Sequence, residues 1–116
     1  MKRPFLLTVI GTLFAFSTLS AIESPEGRAI FESKKCNLCH KQDVESIGPS
    51  IMKIGKFYRG NEMGLVSYLK GEAEPAIYPK RAAAMQPQLV KIRALGDEKI
   101  SDLARFFLLS VEREDL

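Results

Sequence analysis

The stretch Cys36-Asn37-Leu38-Cys39-His40 holds both cysteines of the chain and its single histidine. C-x-x-C-H is the covalent attachment sequence of a c-type haem. The spacing follows from the chemistry. Two thiols must reach two vinyl groups of one porphyrin, and the next residue, an imidazole, must face the iron from the same side. The other readings of these residues are poorer. A structural zinc site needs about four ligands, and this chain offers three, crowded onto one turn. A redox dithiol belongs in a βαβ pattern, which the flanking sequence lacks. A disulfide closing so short a loop is a weak staple.

The segments on either side of this motif read as helices. Ser24 followed by Pro25 fits an N-cap with proline at the first helical position. Gly27, Ile30 and Phe31 then share a face and lead into the motif. After it, Gly48-Pro49 breaks the chain. Ile51, Met52, Ile54 and Phe57 fit a short helix ending at Gly60. Asn61 is placed to cap another, with Met63, Leu65, Val66 and Leu69 inside and Gly71 at its end. Residues 72–88 carry Pro75, Pro79 and Pro87 and read as irregular. From Gly96 or Asp97 a final helix carries Ile100, Leu103, Ala104, Phe107, Leu108 and Val111 on one stripe. No stretch alternates as a half-buried strand does, so the expectation is all-α.

Farther out, Met1-Lys2-Arg3 is a short basic region and residues 4–22 are free of charge. This is the layout of a secretory signal over residues 1–21, ahead of one domain over 22–116. The apolar stretch also approaches the ~20 residues that span a bilayer, so a retained anchor is the alternative. Either reading places the domain outside the cytoplasm, in the periplasm. Exported thiols normally become disulfides; here they are expected as thioethers. Apart from Lys2 and Arg3, fifteen basic residues stand against fourteen acidic ones. They are dispersed, and nothing suggests a nucleic-acid surface.

Taken together these landmarks have an order: Gly27 and Phe31, the Cys36–His40 motif, Ile47-Gly48-Pro49, Lys56-Phe57-Tyr58-Arg59-Gly60, Met85-Gln86-Pro87, and the closing stretch from Asp102 to Ser110. In that order the chain resembles the small single-haem class I bacterial cytochromes c over residues 25–111. The resemblance implies about four short helices wrapped around one covalently bound haem c. It implies that Cys36 and Cys39 form the thioethers, that His40 is the proximal iron ligand, and that the carbonyl of Pro49 accepts the other N–H of its ring. Gly27 and Phe31 are then expected against the last helix near Phe106 or Phe107. Met85 is expected as the distal ligand, because it lies ahead of the C-terminal helix where the family places that residue. Met52 and Met63 read as core packing. A His/Met pair raises the potential of the iron. Arg59 is expected to meet a haem propionate; Lys56, Tyr58, Lys80 and Arg81 lie in segments that also line the pocket.

The function implied is a monomeric electron carrier that docks briefly with redox-protein donors and acceptors of respiration, with no nucleic acid and no small-molecule substrate. One rival is an enzyme or gas-binding haem protein with an open sixth position. The other is a haem-carrying subunit or membrane-tethered module of a respiratory or sulfur-oxidising complex.

Overall fold

The computed structural model describes residues 11–13 and 23–114. The expected signal segment, residues 1–21, lies outside them apart from 11–13. Five α-helices follow one another: α1 Pro25–Ser33, α2 Ile51–Phe57, α3 Glu62–Leu69, α4 Gln86–Arg93 and α5 Asp97–Glu114. Short 3-10 turns cover Cys36–Leu38 and Pro79–Met85. No strand occurs among the described residues.

The helix starts follow their capping residues. Ser24 Oγ accepts from Gly27 N–H at 3.3 Å, with Pro25 opening α1. Asn61 Oδ1 accepts from Gly64 N–H at 3.0 Å at the start of α3. Ser50 Oγ does the same for Lys53 N–H at 3.0 Å and starts α2. Each satisfies a first-turn donor that would otherwise lack a partner.

α5 is the axis of the fold, and α1, α2 and α3 pack along it. Ile100, Leu103, Ala104, Phe107 and Val111 are buried, as the stripe predicts. Phe106 and Ser110 are buried as well, because α1 and α2 cover two sides of the helix. Phe31 meets Phe106 at 4.9 Å and Phe107 at 5.8 Å between ring centroids. Gly27 lets the backbones close at this crossing: a Cβ there would overlap the Asp102 carbonyl and lie 2.8 Å from Phe106 Cβ. Gly55 performs the same service for α2, where a Cβ would meet the Phe107 carbonyl and Val111.

Three sequence readings need correction. Residues 86–88, the end of the stretch read as irregular, open a helix that runs to Arg93. Pro87 sits in the first turn, where its missing N–H is harmless, and Leu89 and Ile92 face inward at i and i+3. Met63 is 73% exposed rather than core; with Leu65 and Leu69 inside, a residue two positions before Leu65 points away. Phe57 is exposed too, and Tyr58, the next residue, takes the buried place.

Candidate functional site

The two cysteines and the histidine come together in the lining of a largely apolar cavity of about 340 Å³. Lys35, at φ 56°, turns the chain sharply at the end of α1 and starts the 3-10 turn Cys36–Leu38. That turn brings both cysteines onto the cavity wall, together with His40. His40 N–H and Cys39 N–H both donate to the Cys36 carbonyl, at 2.9 and 3.2 Å. Burial pushes the free Cys36 thiol up.

The imidazole is held from beneath by the loop over residues 41–49. Gly48 N–H donates to the Cys39 carbonyl at 2.9 Å. A Cβ on Gly48 would lie 2.6 Å from His40 Cε1, so glycine alone lets this backbone lie against the ring. The next carbonyl, that of Pro49, is 2.7 Å from His40 Nδ1. A carbonyl only accepts, so Nδ1 carries the proton and Nε2 presents its lone pair. The ring is 7% exposed and in the tautomer a metal ligand needs.

The same cavity is lined by Met85, which ends the 3-10 turn Pro79–Met85 and directly precedes α4. It is half-buried and packs on the core. Met52 is buried and lines a different pocket, with Phe31, Phe106 and Ser110, and Met63 is exposed. The rest of the lining includes Ile54, Leu65, Leu69, Leu103 and Phe107, with Tyr58 and Tyr68. Burial raises both phenols, and Tyr58 adds to the shift at Tyr68, so both stay protonated donors.

Arg59 is not brought to this cavity. It follows the C-cap of α2, is exposed and is absent from the lining, whereas Tyr58 before it is buried and lines the cavity. Lys56 and Lys80 likewise do not line the cavity. Arg81 does, as do Lys34, Lys35 and Lys91, and no carboxylate is among the lining residues. That arrangement of charge suits a cofactor bearing two carboxylates.

The donor set and the shape fit a haem. Two thiols, an imidazole and a thioether all line one apolar cavity of ligand size. Residues 24–111 match the family model described as Cytochrome c. The chain belongs to the cytochrome c family. No curated protein matches it. Like other cytochromes c it is all-helical, binds covalently attached haem c, and serves haem-based electron transfer. Among the described residues no cluster of three or more His, Cys, Asp or Glu side chains could hold a separate metal ion.

Proposed function

We propose that this cytochrome c is a periplasmic one-electron carrier of respiration, with His40 and Met85 as the two protein ligands to iron and Cys36 and Cys39 as the thioether anchors. The observation that carries this reading is the sharing of one cavity by Cys36, Cys39, His40 and Met85 while Met52 and Met63 lie elsewhere.

Haem supplies a one-electron ferric/ferrous couple. Each side chain then has a defined task. His40 offers Nε2, and the Pro49 carbonyl holds its ring and raises its basicity through Nδ1–H. Met85 offers a soft thioether, which with an apolar surround favours the reduced form. Leu65, Leu103 and Phe107 exclude water. With His40 and Met85 both donating to the iron, a bound haem would have no open position for a substrate, and the protein would act as a carrier rather than an enzyme. Docking with donors and acceptors is brief, through a small interface, and the protein is a monomer.

Export is supported by the Lys2-Arg3 start and the uncharged stretch behind it. No helix among the described residues is long and apolar enough to cross a membrane. A mature N-terminus near residue 21 is the expected outcome; full-length protein in the membrane fraction would instead support the tethered module.

The absorption spectrum of the purified holoprotein tests the ligation. A low-spin spectrum with the iron–thioether charge-transfer band, unmoved by carbon monoxide in the reduced form, is expected. A high-spin spectrum that shifts with carbon monoxide would overturn the carrier reading and point to catalysis or gas binding.

A further inference from the structure

The segment that delivers Met85 is thinly held. Between Gly71 and Met85 only Ala82 is fully buried, although Ile77 packs partly on the core. A run with so few buried side chains is a unit that opens at low free energy. Yet two of its residues reach across the cavity rim to the loop beneath His40. Arg81 Nη2 donates to the carbonyls of Ser46 and Ile47, at 3.2 Å each, and Arg81 Nη1 lies 4.0 Å from Glu45 Oε2. The Tyr78 hydroxyl donates to Glu45 Oε1 and accepts from Lys53 Nζ. Lys53 Nζ itself reaches Glu45 Oε1 at 3.0 Å.

The Tyr78 ring lies between the two cations, 4.2 Å from Lys53 Nζ and 4.7 Å from the Arg81 guanidinium carbon. Its backbone is left-handed, at φ 49°. A bulky residue adopts that conformation only where its surroundings demand it. Here the demand is visible: the left-handed turn aims the phenol at Glu45 and starts the 3-10 turn that ends at Met85. Ile47 and Gly48, the latter against the His40 ring, line the same cavity as Tyr78 and Arg81 of the segment that ends at Met85. The cluster therefore joins the His40 side directly to the Met85 side.

We propose that Tyr78 and Arg81 are positioning residues for Met85, forming with Glu45 and Lys53 a polar clasp that holds the Met85 segment closed over the site. The clasp acts through Met85 and rests on the reading of Met85 as iron ligand. Opening it makes the thioether easier to displace by another ligand, with no change in oxidation state: the iron–sulfur bond breaks as the incoming bond to iron forms.

Imidazole titration of the ferric holoprotein, followed at the iron–thioether band, tests this. Arg81→Gln and Tyr78→Phe are compared with wild type and with Arg28→Gln, which removes an exposed ion pair to Glu32 on α1 and the same charge. Arg81→Gln is expected to lower the half-displacing imidazole concentration about threefold to tenfold, the scale of losing charge-assisted contacts at a half-exposed site. Tyr78→Phe, which keeps the ring between the cations, shifts it in the same direction by less, and Arg28→Gln leaves it at the wild-type value. If both clasp variants titrate as wild type, or all three variants shift alike, the clasp is overturned. Met85→Ala separates the two ideas. Should it keep the band, the ligation reading fails and the clasp with it; should it lose the band while the clasp variants stay at wild type, only the clasp fails.

Discussion

Gly27 and Asp102 are in direct backbone contact: a single methyl on Gly27 would overlap the Asp102 carbonyl oxygen. The crossing of α1 and α5 is set at that distance, and the Phe31 and Phe106 rings meet beside it, tilted by 40°. Gly27→Ala is therefore expected to destabilise the domain by about 1–3 kcal/mol, the scale of overpacking a core. In a domain this small each kcal/mol lowers the melting temperature by roughly 4–8 °C. A thermal melt of the holoprotein within a degree of wild type would show that the helices separate without cost.

The three methionines of the described domain make distinct predictions. Met85→Ala abolishes the iron–thioether band and opens the site to carbon monoxide. Met52→Ala keeps the band but costs about 2–5 kcal/mol of stability, as buried methionine truncations do. Met63→Ala, at an exposed position, changes stability by less than about 0.5 kcal/mol and leaves the spectrum alone. Retention of the band in Met85→Ala with its loss in either of the others would reassign the ligand.

Gly48→Ala addresses the proximal side. The new Cβ would lie 2.6 Å from His40 Cε1 and 2.9 Å from Nδ1, so either the ring tilts or the bond to Pro49 lengthens. A weakened bond to Pro49 lowers the basicity of His40 and shifts the midpoint potential. An unchanged potential and unchanged low-spin spectrum would show that the loop absorbs the methyl.

Acid should loosen the clasp before it unfolds the core. The Tyr78 hydroxyl first, and then Lys53, hold the Glu45 carboxyl below the usual carboxylate range, with Arg81 also facing it. A group whose pKa falls on folding contributes its stabilisation above its unfolded value, here 4.5, and loses it as pH falls through the lower folded value. Band intensity in wild type is thus expected to fall as pH drops below 4.5. Glu45→Gln starts with a weaker clasp and lacks that part of the acid limb. Matching acid limbs in the two proteins would assign the transition to another group.

Loss of the first cap is a local test of the fold. Ser24 Oγ accepts from Gly27 N–H and donates to the Asp102 carbonyl at 3.1 Å. Ser24→Ala should cost about 1 kcal/mol, measurable by denaturant titration, and Ser24→Thr, which keeps the hydroxyl, should restore most of it.

What the chain declares in its sequence is local chemistry. Cys36, Cys39 and His40 specify their cofactor because thioether formation and axial ligation demand that spacing within five residues. Ser24, Asn61 and the α5 stripe mark helix starts and a buried face through rules that operate over one or two turns. The fold class and the haem were legible on those grounds. Ser50 and the Leu89–Ile92 pair were signals of the same kind, obscured by neighbouring prolines. Other features depend on which elements meet. Met63 and Met85 are chemically identical, and only the crossing of α3 with α5 and the path of residues 72–85 put one in water and the other on the cavity wall. Arg59 and Arg81 differ likewise: Arg59 is exposed beside the buried Tyr58, whereas Arg81 reaches the Ser46 and Ile47 carbonyls. Gly55 has no sequence mark distinguishing it from a tolerated glycine until α5 lies against it. Residues 34 to 35 positions apart, such as Arg81 with Ser46 and Ile47, become neighbours only when the hydrophobic packing around α5 fixes both segments, and no local rule reaches that far.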